Sequence, residues 1–169
     1  MVTRSAPRSP HLRQVVSGGQ TGVDRAALDV ARRLGYVLGG WCPAGGWAED
    51  LPDPPGVLAL HPELRPTPSA DPGERTRWNV RDSTATLVLT RTDLDSPGTA
   101  LTIEVARELA RPHLVVPVDE SDPAEVRHWL TELSPPVVLN VAGPRESQAP
   151  GIHGQARAFL ERVLSDLRP

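Results

Sequence analysis

The sequence predicts an α/β fold: a Rossmann-like, mostly parallel sheet of about five strands with helices on both faces. The first observation is a set of short apolar runs at residues 13–16, 36–41, 85–90, 113–118 and 137–143. The second is helical periodicity between most of these runs, so that strands and helices alternate along the chain. Right-handed crossovers between parallel strands then place helices on both faces of one sheet.

The first strand leads directly into a glycine turn and a helix. The run at residues 13–16 is stopped by Gly18 and Gly19, and apolar residues then recur every three or four positions from Val23 to Leu34. Gly35 follows the last of them, which is typical of a helix end. Proline and serine crowd the preceding segment, so we predict a disordered tail at residues 1–12 and a single domain at residues 13–169.

Later helices follow the remaining strands. We predict a short polar helix at residues 74–83, a helix at residues 99–110 and a helix that Asp122 caps and that runs to about residue 133. A closing helix has an apolar face made of Ile152, Ala156, Phe159, Leu160, Val163, Leu164 and Leu167.

Composition excludes several classes of function. The net charge of -3 lacks the basic surface that nucleic-acid binding needs. The 18 basic residues are all arginine, so lysine Schiff bases, lysine general bases and the lysine of an ATP-binding loop are impossible. A single cysteine cannot form an internal disulfide or a thiolate cluster. Without an apolar run of ~20 residues, we expect a cytoplasmic protein that does not enter a membrane.

Two turns have the composition of anion sites. Residues 17–24 follow the first strand and residues 93–104 follow the third, and both place glycine with Ser or Thr before a helix. Free amides and the helix dipole attract anions there. If the first and third strands are central neighbours, the two turns form one anion cradle at the switch point of the sheet.

Known nucleotide and hydrolase motifs are absent. Gly18, Gly19 and Gly22 do not match G-x-G-x-x-G, and the second strand ends in glycine and tryptophan rather than a ribose-binding carboxylate. The chain has neither the lysine-containing phosphate loop nor G-x-S-x-G. The five histidines lack metal-ligand spacing, so we predict no structural metal.

Other polar residues leave alternatives open. Arg75, Asn79 and Asp82 fall on one stripe beside Trp78, which suits either a polar heterocycle or a solvated face. Trp41 and Trp47 flank a glycine-rich loop that is either an aromatic lid or a packed surface loop. Glu104 is either an acid/base group or a carboxylate that stabilises the helix dipole.

Five ordered segments carry a family resemblance: GGQTGVDRAALDVA, GGWCPAGGWAED, TPSADPGERTRWNVRDS, GTALTIEVA and LNVAGPRESQAPGI. Together they closely resemble the family named "putative molybdenum carrier", from residue 15 to the last helix. The resemblance implies a Rossmann-like homo-oligomer, a dimer or tetramer, that holds molybdenum cofactor as cargo and passes it unchanged to molybdoenzymes. From the two turns and the composition, we expect a small anionic ligand and neither a nucleic-acid nor a membrane partner.

Site candidates combine this resemblance with the turns and the polar stripe: Gly18, Gly19, Gln20, Thr21, Gly22, Asp24, Arg75, Asn79, Asp82, Ser96, Gly98, Thr99 and Thr102. On this hypothesis Gly22→Asp abolishes ligand binding and largely preserves the fold. The segment at residues 143–147 also matches the family, but we expect its strand to lie too far from the switch point unless another subunit contributes.

An enzyme is the alternative. The superfamily is similar to cytokinin-activating phosphoribohydrolases, which carry P-G-G-x-G-T-x-x-E at the corresponding turn. With Gly98 and Thr99 as the motif's Gly-Thr, Thr102 takes the glutamate position, and Glu104 misses either possible register. One residue on a helix is a rotation of about 100°. We therefore favour a non-catalytic carrier over a hydrolase and keep a nucleotide-sensing module as a third reading.

Overall fold

The fold is a five-stranded parallel sheet between helices, together with a small two-stranded ribbon. A computed structural model describes residues 11–167. Its strands are β1 Leu12–Val16, β2 Val37–Gly39, β3 Trp41–Cys42, β4 Arg65–Pro66, β5 Ala85–Thr90, β6 His113–Pro117 and β7 Val137–Ala142. Its α-helices are α1 Val23–Leu34, α2 Pro72–Arg81, α3 Pro97–Glu108, α4 Pro123–Glu132 and α5 Ile152–Leu164. The predicted α/β class is confirmed.

The strand order differs from our expectation. The main sheet runs β2-β1-β7-β5-β6, and its pairings are parallel throughout the described residues. The first and third predicted strands, β1 and β5, are therefore not neighbours, because β7 lies between them. Counted from β7 as strand one, the sheet reads 3-2-1-4-5, which is the order of the first five strands of a Rossmann sheet with the first strand moved to the end of the chain. The chain has the spatial order of that fold but begins at its second strand.

Two boundaries need correction. The strand predicted at residues 36–41 is split by Gly40, whose φ is 128° and where a Cβ would lie 2.1 Å from the Ser17 carbonyl oxygen. Trp41 therefore leaves the main sheet and pairs with Arg65 in the ribbon. Leu12, which we assigned to the tail, is buried and begins β1. Residues 1–10 of the predicted tail lie outside the described residues.

Local sequence accounts for the helix ends. Gly35 takes a left-handed conformation at the end of α1, and Asp71 and Asp122 accept hydrogen bonds from backbone amides at the starts of α2 and α4. The main core lies between the sheet and the face formed by α1, α4 and α5, with fully buried residues such as Leu87, Leu139 and Leu160. The opposite face is covered by α2 and α3 around the buried residues Val80, Val105 and Ala106.

Candidate functional site

Three strand–helix turns meet at the carboxyl edge of the sheet. They follow β1, β5 and β7, and the central position of β7 brings its turn against both others. The Val23 amide donates to the Pro144 carbonyl (3.2 Å), and Arg91 Nη1 donates to the Pro150 carbonyl (3.0 Å). Ser96 Oγ lies 3.4 Å from Gln148 Oε1. Our expectation that residues 143–147 lie too far from the switch point is therefore wrong, since their strand is the centre of the sheet.

The first turn is filled by the protein's own side chains. A Cβ on Gly18 would lie 2.0 Å from Arg75 Nη1, so glycine is what admits the guanidinium. Arg75 Nη1 in turn donates to Asp24 Oδ2 at 3.0 Å. Burial raises the pKa of Asp24, and the Arg75 guanidinium offsets only part of that rise. The site thus holds a buried ion pair where a free anion cradle was expected.

Gly19 and Gly22 also face protein. Both have positive φ, 76° and 75°. A Cβ on Gly19 would meet Leu64 at 2.7 Å, and a Cβ on Gly22 would lie 2.4 Å from the Pro144 carbonyl oxygen. Our expectation for Gly22→Asp is therefore wrong with respect to the fold, because any side chain there collides with backbone.

Gln20 and Thr21 join the first turn to the loop after β3. Gln20 Oε1 accepts from the amides of Thr21 (3.0 Å) and Glu49 (2.9 Å). The Glu49 carboxylate accepts from the hydroxyls of Thr21 and Ser147 and from the Ser147 amide (3.1 Å). Although partial burial opposes its ionisation, the donors Ser147 and Thr21 lower the pKa of Glu49. Glu49 therefore clamps the β1 turn to the β7 turn.

Sequence reasoning missed Glu49 and Glu146. The Glu146 carboxylate accepts from the amides of Gly151 and His153 (3.0 Å), so it satisfies the start of α5 from within the chain. The sequence does indicate Glu146, because this residue follows a glycine turn after a buried apolar strand, which is the pattern of the other two turns. The remote Glu49 carried no such signal.

The third turn, after β5, is open. Ser96 stands at the N-cap position of α3, yet its side chain makes no capping hydrogen bond. Gly98 is exposed and has no atom within 4 Å of a built Cβ. Thr99 Oγ1 is buried and has no hydrogen-bond partner among the described residues. This helix start combines unoccupied donors with room for a ligand, and it matches an anion site better than the first turn does.

Thr102 and Glu104 lie on different faces of α3. Thr102 is buried, and its hydroxyl donates to the Gly98 carbonyl within the helix (3.0 Å). Glu104 is exposed and lines an outer groove with Ile103 and Arg107. The carboxylate is thus turned away from the side on which Thr102 packs, as the register of the sequence predicts.

The polar stripe of α2 is engaged inside the protein. Asn79 is buried, and its amide exchanges two hydrogen bonds with the Trp41 backbone, at 2.8 and 2.9 Å. Asp82 accepts from Trp41 Nε1 at 2.8 Å, and Trp41 packs edge-to-face on Trp78 with 4.7 Å between ring centroids. These contacts give Asn79 and Asp82 a structural role, and their role in ligand binding stays a prediction.

The two tryptophans of the glycine-rich loop go to different neighbours. Trp41 packs against α2, whereas Trp47 lies under the Arg145 guanidinium, 5.8 Å from the ring centroid. Trp47 also lines a cavity of about 420 Å³ with Pro52 and Pro54. The loop is packed along its length rather than free to act as one aromatic lid.

A larger cavity of about 650 Å³ opens on the α1 and α5 side of the first turn. Thr21, Gly22 and Glu146 form its end nearest the sheet, and α1, the loop before β4 and the first turn of α5 supply the rest. None of the predicted site residues other than Thr21 and Gly22 lines it. Its size is typical of small-molecule sites.

The permuted strand order agrees with a family match. A model of the Circularly permutated YpsA SLOG family matches residues 15–164. The chain belongs to this family. A crystal structure of the "Putative molybdenum carrier protein" from Syntrophus aciditrophicus SB is 34% identical, covers 92% of this chain and 96% of that chain, and superposes with a TM-score of 0.79. No curated protein matches the sequence. The family resemblance predicted from the five sequence segments is confirmed.

Membership of this circularly permutated family accounts for the topology. In a permuted chain the strands keep their places in the sheet but follow one another from a different starting strand. Within residues 11–167, no three or more His, Cys, Asp or Glu side chains are grouped to hold a metal ion. In the same part of the chain no helix is both long and apolar enough to cross a membrane.

Proposed function

We propose that this protein binds and carries a phosphate-containing small molecule without changing it, and that molybdenum cofactor is its cargo. The observation that carries this proposal is the open start of α3. The helix has no side-chain cap at Ser96, Gly98 leaves space for close approach, and the Thr99 hydroxyl is buried without a partner. A phosphate satisfies such a helix start because its oxygens accept from backbone amides and a hydroxyl.

The other two turns support the choice of α3. Glu146 occupies the start of α5, and Arg75 with Asp24 fills the base of the β1 turn. A phosphate at α3 would therefore meet Gly98 and Thr99, while the turns after β1 and β7 are already filled by groups of the chain itself. The name of the similar Syntrophus protein, "Putative molybdenum carrier protein", favours a molybdenum-related cargo here as well.

Molybdenum cofactor fits this chemistry. It carries a terminal phosphate and a pterin with several hydrogen-bonding edges, and it supplies redox chemistry to the enzyme that finally holds it. This chain's part is to bind the phosphate at Gly98 and Thr99 and to shelter the rest of the molecule. We further propose that a homo-oligomer does this and that molybdoenzymes receive the cargo.

A nucleoside-monophosphate phosphoribohydrolase is the second candidate. Glu104 does not support it, because that carboxylate is exposed on the outer groove of α3. Asp24 does support it: a buried carboxylate with a raised pKa beside an arginine is a common feature of acid–base sites. A hydrolase would use Asp24, whereas a carrier needs it only for the ion pair.

The test is anaerobic purification followed by mass spectrometry of the small molecules and metals released on denaturation. Wild-type protein is expected to release molybdenum and a pterin at near-stoichiometric yield. Gly98→Asp places a carboxylate at the proposed phosphate position and is expected to lower that yield by about tenfold or more. Gly154→Asp is the matched control, since Gly154 is also open and lies in the first turn of α5, whose start Glu146 already satisfies.

Four results contradict the carrier proposal. Wild-type protein without molybdenum or pterin excludes the cargo. Equal yields from Gly98→Asp and Gly154→Asp exclude the α3 site. Release of a nucleobase with ribose phosphate supports the hydrolase, and loss of nucleoside-monophosphate cleavage in Asp24→Asn would identify its carboxylate. Release of an intact nucleoside monophosphate supports a nucleotide-sensing module instead.

A further inference from the structure

The 650 Å³ cavity beside α1 is chemically distinct from the turn at α3. Its two arginines are already paired. Arg25 makes two hydrogen bonds with the Asp50 carboxylate, at 3.0 and 3.1 Å, and donates to the Gly19 carbonyl. Arg32 bonds to Glu63 at 3.0 Å and to the Leu60 carbonyl at 3.1 Å. With both guanidiniums engaged, this cavity is not built for a phosphate.

His61 is buried in the cavity wall, and its tautomer follows from its neighbour. Arg32 Nη2 lies 3.1 Å from His61 Nδ1, and since a guanidinium only donates, Nδ1 accepts. The imidazole proton is therefore on Nε2. Burial, with the nearby Arg32 charge, lowers the pKa of His61, so the ring is neutral. An Nε2 that carries a proton also has no lone pair for a metal ion.

Nothing in the described residues accepts the His61 Nε2 proton. The nearest carboxylate oxygen, Asp29 Oδ1, is 3.9 Å away, which is too long for a hydrogen bond. The other oxygen, Asp29 Oδ2, lies 3.1 Å from His153 Nε2. The cavity thus presents one unused donor and one unused acceptor side by side, with the donor on a side chain that is only 3% exposed.

We propose that this cavity binds a neutral, flat heterocycle through an edge that carries an N–H beside an acceptor, as pterins and purines do. Asp29 Oδ1 accepts from the ring N–H, and His61 Nε2 donates to the adjacent carbonyl or ring nitrogen. Leu60 and the methylene chains of Arg25 and Arg32 offer apolar surface to the ring. The proposal does not require a phosphate at α3.

Equilibrium dialysis at pH 7 with pterin and 3-methylpterin tests the proposal. Methylation removes the N–H and leaves the carbonyl, so 3-methylpterin is expected to bind wild-type protein at least about tenfold more weakly. Asp29→Asn keeps the side-chain shape and is expected to weaken pterin binding by a similar factor, about tenfold. Asp53→Asn, an exposed position outside the cavity, is the matched control and is expected to bind like wild type.

Two further measurements keep the outcomes distinct. Excess inorganic phosphate in the dialysis is not expected to displace pterin, so failure of the phosphate site at α3 does not affect this proposal. A nuclear magnetic resonance shift of the His61 Nε2 proton on adding pterin is expected in wild-type protein. The proposal is overturned if wild-type protein does not bind pterin, if 3-methylpterin binds equally well, or if Asp29→Asn matches Asp53→Asn.

Discussion

The turns after β1 and β5 have similar sequences, but the first is filled by the protein's own atoms and the second is open. Both bring glycine and a hydroxyl residue to a helix start at the same edge of the sheet. In the first, the space beside Gly18 is taken by Arg75, and the space beside Gly22 by the backbone at Pro144. In the second, Gly98 faces open space, and Thr99 Oγ1 has no partner among the described residues. A glycine at a helix start therefore marks close approach, and the approaching group can be the protein itself.

The largest expected effect concerns the ion pair under the first turn. Arg75→Met leaves Asp24 buried without its cation and is expected to lower the free energy of unfolding by about 4 kcal/mol. Arg77→Met is the control on the same helix, because the Arg77 side chain is half-exposed and its ion pair with Glu108 is long, at 4.0 Å. This variant is expected to change the free energy of unfolding by less than about 0.5 kcal/mol. Urea unfolding at pH 7 measures both.

The double variant Asp24→Asn with Arg75→Met sharpens this result. It removes the isolated charge, so part of the lost stability is expected to return. If Arg75→Met is as stable as Arg77→Met, the first turn does not depend on its internal cation, and the contrast with the β5 turn fails.

The glycines of the two turns give the next largest difference. Gly22→Ala forces a side chain into a left-handed position, 2.4 Å from the Pro144 carbonyl oxygen, and is expected to destabilise the fold by about 2 kcal/mol or more. Gly98→Ala meets no atom within 4 Å and is expected to stay within about 0.5 kcal/mol of wild type. Thermal and urea unfolding compare the two, and equal losses would contradict the assignment of one closed and one open turn.

Periodicity predicted the secondary structure well because each element follows local rules. The stripe of α1, the Asp122 cap of α4 and the apolar run of β5 all appear where the sequence indicates. The order of the strands could not be read in this way. It depends on which strands pair, and the permutation inserts the last strand, β7, between two earlier ones.

The site was only partly predictable for a similar reason. Gly18 and Gly98 have similar sequence contexts, and only the tertiary structure reveals that Arg75 fills the space beside Gly18. The sequence leaves Asn79 open between a ligand-binding face and a solvated face, because its actual partner, the Trp41 backbone, lies 38 positions away. The clamp at Glu49 and the donor at His61 depend on loops whose paths carry no periodic signal.

The smallest expected effect is a pH dependence that comes from the two carboxylates at the first turn, Asp24 and Glu49. The pKa of Glu49 lies below its ordinary value of 4.5, so its contribution to stability is present above that pH and is lost as the pH falls through the lowered pKa. The pKa of Asp24 lies above its ordinary value of 3.8, so its contribution has the opposite sign: it is present below that pH and is lost as the pH rises.

Removing Glu49 and removing Asp24 should therefore change the loss of unfolding free energy at acid pH in opposite directions. Glu49→Gln is expected to lose less stability than wild type between neutral and acid pH, by less than about 1 kcal/mol because the clamp is partly solvated. Asp24→Asn is expected to lose more than wild type over the same range. Urea unfolding at several pH values measures both slopes, and Ser147→Ala, which removes one donor to Glu49, should fall between wild type and Glu49→Gln. If both carboxylate variants change the pH dependence of stability in the same direction, burial does not raise the pKa of Asp24. The ion pair beneath the first turn is then solvated like a surface pair.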